Sequence, residues 1–151
     1  MSRLIGLDVG SKRIGIAVSD ELGILATPHG MIARRSYNRD GEAIARLIQE
    51  LTAVRVIVGH PIGLAGQSTR QTEATETFAR MLADRVPVPI ELWDERHTST
   101  AAREIVGSSP EVRRSGRIDA VAAAIILQSY LDNHPELRSA QHPRPRGEPG
   151  W

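Results

Sequence analysis

Apolar positions fall into short dense runs whose period changes along the chain. Leu4 to Val9 and Ile14 to Val18 are two such runs, joined by Gly10-Ser11-Lys12-Arg13. Ile14, Ile16 and Val18 alternate with small residues, the two-residue period of a strand, so the pair predicts an antiparallel hairpin. A third extended run opens at Gly23 and reaches Ile32. Pro28 within it cannot donate to a ladder, which assigns that run to a sheet edge. Ile44, Leu47, Ile48 and Leu51 then recur at helical spacing, with Asn38 as the expected N-cap. Val54 to Val58 is short and β-branched, the pattern of a strand covered on both faces, and it stops at Gly59-His60-Pro61. After a glycine-rich loop from Gly63 to Gln67, Ser68 and Gln71 predict a capping box. The helix behind it carries the stripe Ala74, Phe78, Met81 and Leu82. Ile90 to Trp93 predicts a strand running into Asp94-Glu95-Arg96. Thr98 caps a short helix to Val106, which Gly107 to Pro110 end, and Ile118 to Leu131 is an alanine-rich helix.

Three strands in succession followed by alternating helices and strands predict an α/β domain with a mixed sheet over residues 1–132. From Asn133 onward Pro135, Pro143, Pro145 and Pro149 stand among arginines and glycines, so residues 133–151 read as a mobile tail. Composition sharpens this at a few points. Aromatic residues make up only 3% of the chain, so the core must be aliphatic, and this argues against base stacking on aromatic platforms as the main binding mode. Net charge is +1, so an anionic partner must be met by local clusters rather than by an overall field. The chain has no cysteine, hence no disulfide, thiolate metal site or thiol nucleophile. No leader pattern and no membrane-length apolar run is present, which predicts a soluble cytoplasmic protein without a membrane partner.

The candidate chemistry is carried by carboxylates. Asp8 sits in the first strand just before its turn, where desolvation is costly unless the charge is paired, hydrogen-bonded or bound to a cation. Turn amides around Gly10 and Ser11 are the competing explanation. Right-handed crossovers make the strands ending at Gly59 and Glu95 parallel to the Asp8 strand, so all three should finish at one edge, where open α/β sheets bind ligands. Glu95 shares a face with Trp93 and Glu91, whereas Asp94 shares one with Leu92; only one of the two acids can face Asp8, and the alternation leaves open which. Asp119 lies in the first turn of the last helix, where the helix dipole alone would also favour it. Carboxylates on three separate elements suit a hard oxygen-preferring ion, Mg²⁺ or Mn²⁺, and such ions serve nucleases. Lys12 and Arg13 at the first turn, Arg96 beside Glu95, and Arg113, Arg114 and Arg117 ahead of Asp119 form candidate contacts for a phosphate backbone.

The same residues carry a resemblance. Gly6-Leu7-Asp8-Val9-Gly10 with Arg13-Ile14-Gly15, Val18-Ser19-Asp20, Val58-Gly59-His60-Pro61, Asp94-Glu95-Arg96 and Ile118-Asp119-Ala120-Val121-Ala122-Ala123 occur in order. Over roughly residues 3–131 the chain resembles the YqgF/RuvX family of RNase H-like proteins, described as pre-16S rRNA nucleases and as Holliday junction resolvases. The resemblance implies a five-stranded mixed sheet, its first three strands antiparallel, with helices on both faces. It implies that Asp8, Glu95 and Asp119 are the catalytic, metal-binding triad, which would settle the choice between Asp94 and Glu95. Hydrolysis would leave a 5′-phosphate and a 3′-hydroxyl, on an rRNA precursor or on branched DNA. Junction cleavage needs two sites, so a homodimer is compatible. His60 stands where the family usually has Leu, and reads as a substitution tolerated beside a turn proline ahead of a phosphate contact or proton shuttle. His97 is a weaker candidate for a general acid. Two other classes compete: a non-catalytic RNA-binding ribosome assembly factor, and an actin-like ATPase or sugar kinase, which would need a second Asp-x-Gly domain that this chain lacks.

Overall fold

The structure, a computed structural model, describes residues 3–108 and 118–141. In chain order it contains β1 (Arg3–Val9), β2 (Arg13–Ser19), β3 (Ala26–Ala33), α1 (Tyr37–Leu51), β4 (Ala53–His60), α2 (Arg70–Ala83) and β5 (Ile90–Asp94). A single 3₁₀ turn (Glu95–His97) follows, then α3 (Thr100–Gly107), α4 (Ile118–Asp132) and α5 (Glu136–Gln141). The five strands form one sheet in the order β3-β2-β1-β4-β5. β1 pairs antiparallel with β2 and β2 with β3, while β4 and β5 run parallel to β1. This is the mixed sheet expected. β3 does lie at the edge, and a register shift between Ile16↔Gly30 and Ala17↔Pro28 leaves His29 as the extra residue of a bulge where Pro28 has no ladder donor to offer.

The strand alternation divides the core into two layers. Ile5, Leu7 and Val9 of β1 join Ile14, Ile16, Val56 and Val58 under Ile44 and Ile48 of α1 and Phe78 and Leu82 of α2. On the other face Leu4, Ala17 and Ile57 pack against Val106 of α3 and Ala123, Ala124, Ile126, Leu127 and Tyr130 of α4. Helix α4 sits unusually close to the sheet because glycines face it. A Cβ on Gly6 would lie 2.7 Å from the Leu127 Cβ, and one on Gly59 would lie 2.5 Å from the Ile126 Cδ1. Burying aliphatic side chains such as Leu127, at about 1.5–3 kcal/mol each, holds this layer together.

The helix starts differ from expectation by one or two residues. Ser36, in extended backbone, caps α1 by accepting from the Arg39 amide; Asn38 falls inside the first turn and instead accepts from Arg85 Nε and Nη2 at 3.0 and 2.7 Å. The capping box of α2 is Thr69–Thr72 rather than Ser68–Gln71, and α3 is capped by Ser99 rather than Thr98. Adjacent Ser, Thr and Asn residues offer the same hydroxyl or amide oxygen, so backbone conformation, not residue type, selects the cap. The stretch from Asn133 is structured further than its composition implies. His134 stacks on Tyr130 with ring centroids 3.9 Å apart, and Leu137 packs on the α4 layer. Pro135 immediately precedes α5, a position where its missing N–H costs nothing. The remainder of the proposed tail, residues 142–151, lies outside the described residues.

Candidate functional site

The even residues of β1, Leu4 and Gly6, face α4, so the alternation carries Asp8 to the same side. In β4, Ile57 and Gly59 face α4, whereas His60 continues the α1/α2 side begun by Val56 and Val58. In β5, Trp93 packs on the α4 layer and Leu92 on the other. Glu95, at the start of the 3₁₀ turn, resumes the Trp93 face. Its Cδ lies 3.4 Å from the point where a Gly59 Cβ would be, so the missing side chain at Gly59 makes room for the carboxylate. Asp8 and Glu95 thus meet at the carboxyl-terminal edge of the parallel strands, while Asp94 leaves toward Arg96.

Electrostatics distinguish the two neighbouring acids. Burial pushes the Glu95 carboxyl above the ordinary glutamate range, the negative charge of Asp8 and then of Asp94 push it the same way, and His60 acts against them. Among the described residues no lysine or arginine pairs with Glu95. Asp94 is the opposite case: hydrogen bonds from the Arg96 guanidinium hold its carboxyl below the usual carboxylate range. That pair is bidentate, with Nη2 to Oδ2 at 2.6 Å and Nε to Oδ1 and Oδ2 at 3.1 and 2.9 Å. Arg96, expected to contact nucleic acid, is therefore already engaged, although its side chain remains exposed.

Helix α4 runs antiparallel to β1. Its Gln128 Oε1, near the helix end, accepts from the Ala26 amide at 2.9 Å, where Ala26 pairs with Ser19 beside Leu4 at the amino end of β1, and the Ala123 carbonyl lies further along β1 beside Gly6. The first turn, which contains Asp119, is consequently at the same edge as Asp8 and Glu95; the Asp119 side chain lies outside the described part of the structure. Among the described residues no group of three or more His, Asp or Glu is close enough to hold a metal ion. Lys12 and Arg13 are exposed at the β1–β2 turn, immediately beyond Asp8. Arg113, Arg114 and Arg117 lie outside the described residues.

Three side-chain partnerships near the site escaped sequence reasoning. His60 Nε2 lies 2.8 Å from Glu76 Oε2 of α2, which gives that histidine a specific partner on the α2 side of the sheet rather than a merely tolerated place. Gln71 Nε2 donates to the Val9 carbonyl at 2.7 Å, and Arg34 Nη1 to the Gly10 carbonyl at 2.8 Å. Each partnership joins residues 16 to 62 positions apart, with no local pattern to announce it. His60 alone carried a signal, as a polar residue ending an apolar strand.

Comparison with known proteins settles the lineage. A family model described as "RuvX: Holliday junction resolvase" matches residues 2–133. The chain belongs to the RuvX family. Among its relatives, a Syntrophus aciditrophicus (strain SB) protein named "Putative pre-16S rRNA nuclease" is 40% identical over 132 residues, covering 86% of this chain and 88% of that one. A Myxococcus xanthus (strain DK1622) protein of the same name is 38% identical over 143 residues, covering 93% of this chain and 95% of that one. Of solved structures, Thermus thermophilus RuvC in complex with a Holliday junction substrate matches with a TM-score of 0.58 at 16% identity, over 88% of this chain and 96% of that chain. At that identity the likeness speaks for the fold, which is RNase H-like. The RuvX membership read from the motifs around Asp8, Glu95 and Asp119 is thus upheld. Among the described residues no helix is long and apolar enough to cross a membrane.

Proposed function

We propose that this RuvX-family chain is a divalent-metal-dependent nuclease that processes the 5′ end of pre-16S rRNA. The observation that carries the reading is the convergence of Asp8 and Glu95 on one face of one sheet edge, with Glu95 held above its ordinary pKa by burial and by the Asp8 charge. Like charges brought together in a half-buried site, with no lysine or arginine among the described residues on Glu95, are unfavourable unless a cation is recruited.

The donor set fits Mg²⁺ or Mn²⁺. It consists of carboxylate oxygens only, as hard ions require, with Asp119 from the first turn of α4 as the third ligand. When bound, such an ion supplies Lewis acidity and an activated water at a phosphodiester. The chain's own groups divide the remaining tasks. Asp8 and Glu95, fixed on β1 and at the end of β5, orient the charge that draws the ion. Lys12 and Arg13 at the adjoining turn, together with Arg113, Arg114 and Arg117, hold the phosphate backbone, and Arg96 adds to them if substrate displaces it from Asp94.

The relatives' shared name favours an rRNA precursor as substrate, and the family's description favours a four-way DNA junction as the second reading. One experiment separates them: cleavage of a 5′-extended 16S precursor and of junction DNA, with Mg²⁺, Mn²⁺ or chelator, by the wild-type protein and by Asp8→Asn. Metal-dependent trimming of the RNA that is lost in Asp8→Asn, with binding retained, is the expected result. Cutting of the junction alone would replace the RNA reading with the resolvase one. Binding of RNA unaffected by chelator, with no cleavage of either substrate, would make the chain an assembly factor and end the nuclease reading. The chain is further proposed to act in the cytoplasm. A homodimer is the expected assembly only if the junction proves to be the substrate.

A further inference from the structure

The backbone that bears Asp8 leaves the sheet on one side before the strand ends. Pairing of β1 with β4 stops at Leu7↔Val58, whereas pairing with β2 continues through Asp8↔Gly15 and Val9↔Ile14. Past Leu7 the strand is therefore laddered on one side only. Backbone polar groups released in this way need other partners, and an edge held on one side is free to shift.

Two side chains from outside the strand take over. Gln71, in the first turn of α2, donates through Nε2 to the Val9 carbonyl at 2.7 Å. Arg34, just past β3, donates through Nη1 to the Gly10 carbonyl at 2.8 Å, and its own amide donates to the Lys12 carbonyl at 2.8 Å. The guanidinium is itself locked. Its Nε donates to Asp40 Oδ2 at 3.1 Å, and its Cζ lies 5.1 Å from the centre of the Phe78 ring. Asp40, only 1% exposed, spends its other oxygen on the Arg35 amide at 3.0 Å. A buried carboxylate with both oxygens engaged fixes the guanidinium plane, and the planar fork then fixes a carbonyl two residues beyond Asp8.

We infer that Gln71 and the Arg34–Asp40 pair are positioning residues that hold the Val9 and Gly10 carbonyls and thereby keep the Asp8 carboxylate aligned with Glu95. The clamp lies behind the sheet: Val9 and Phe78 belong to the α1/α2 layer, and Asp8 faces α4. Neither clamp residue reaches the acids' side, so both act through the main chain. Small displacements of a metal-binding carboxylate are costly, and groups that orient such ligands commonly carry ten- to a hundredfold in affinity or rate. The inference rests on the nuclease reading, since its consequence is expressed through the Asp8–Glu95 site.

The test uses the full-length chain carrying Gln71→Met, which keeps the side-chain length and removes the donor. Gln71→Lys, which restores a donor, and Arg34→Lys, which keeps the charge but loses the fork, complete the set. Mn²⁺ affinity is read by calorimetry in the absence of substrate, and kcat and KM are read on whichever nucleic acid the wild type cuts. Gln71→Met is expected to weaken Mn²⁺ binding about threefold or more and to lower kcat about tenfold, with KM within about twofold and an unchanged circular-dichroism spectrum. Gln71→Lys is expected to recover part of the loss, and Arg34→Lys to reproduce it. Wild-type Mn²⁺ affinity and kcat in both Gln71→Met and Arg34→Lys would overturn the clamp while leaving the nuclease reading intact. Should the wild type cut nothing, the nuclease reading fails by itself, and the calorimetry still judges the clamp. Absence of Mn²⁺ binding by the wild type would end both.

Discussion

Glu91 and Glu95 leave the same face of the same segment, four residues apart, and meet opposite fates. At the amino end of β5, Glu91 Oε1 accepts from Arg55 Nη1 at 2.8 Å and from the Tyr130 hydroxyl at 3.1 Å, while Arg55 also reaches Tyr130 at 3.3 Å. That triad is self-satisfied; burial and the Glu91 charge raise the Tyr130 hydroxyl above its ordinary pKa, and the Arg55 guanidinium is raised as well. At the carboxyl end Glu95 meets the charge of Asp8 and, among the described residues, no arginine, and its carboxyl is raised by burial and like charge. One end of the strand uses a carboxylate to tie β4, β5 and α4 together. The other leaves a carboxylate electrostatically dissatisfied, the condition that recruits a cation.

The sharpest way to break this contrast is to neutralise each acid in turn. Glu95→Gln is expected to lower Mg²⁺-supported cleavage by on the order of a thousandfold, the scale of several kcal/mol of lost charge stabilisation, whereas Glu91→Gln should stay within about twofold. Equal losses in the two variants would erase the distinction. Gly59→Ala tests the room made for Glu95. Its new Cβ would meet Ile126 Cδ1 at 2.5 Å, so thermal unfolding should show a loss of about 1–3 kcal/mol together with reduced activity. Stability should separate the acids in the opposite sense from activity. Glu91→Leu strips partners from Arg55 and Tyr130 and should cost about 1 kcal/mol, a fall in Tm of roughly 3 °C.

The smallest effect concerns pH. The Glu95 pKa in the folded chain lies above its ordinary value of 4.5, so between the two values the native state holds a proton that the unfolded chain has released. The contribution of Glu95 to metal-free stability is therefore greatest below the ordinary value and declines as pH rises through that window. Glu95→Gln should remove the decline and raise the metal-free Tm at neutral pH by about 1–2 °C, a modest gain because the side chain is partly solvated. A variant less stable than wild type at neutral pH would show that Glu95 is a structural acid after all. Saturating Mg²⁺ should reverse the ranking, stabilising the wild type and not the variant.

Short-range order along the chain was enough to place the five strands and the first four helices, and to predict a mixed sheet, but not the short helix after Pro135. Period-two and period-3.6 patterns report one residue's burial at a time, and the parallel crossover followed from handedness. It also brought the ends of the strands that bear Asp8, Gly59 and Asp94-Glu95 to one edge, whereas the grouping of Asp8 and Glu95 with Asp119 was implied by the family resemblance. Helix caps were placed less well because neighbouring Ser, Thr and Asn residues are chemically interchangeable until the backbone chooses among them. Beyond what the resemblance implied, only tertiary structure decided which of Asp94 and Glu95 turns inward: Arg96 lies beside Asp94 and captures it, and Gly59 makes room for the Glu95 carboxylate. The same holds for His60 with Glu76, and for Gln71 and Arg34 on the β1 carbonyls. Those bonds depend on where separate elements pack, and side-chain partnerships across a packed interface leave no periodic trace in the chain that forms them.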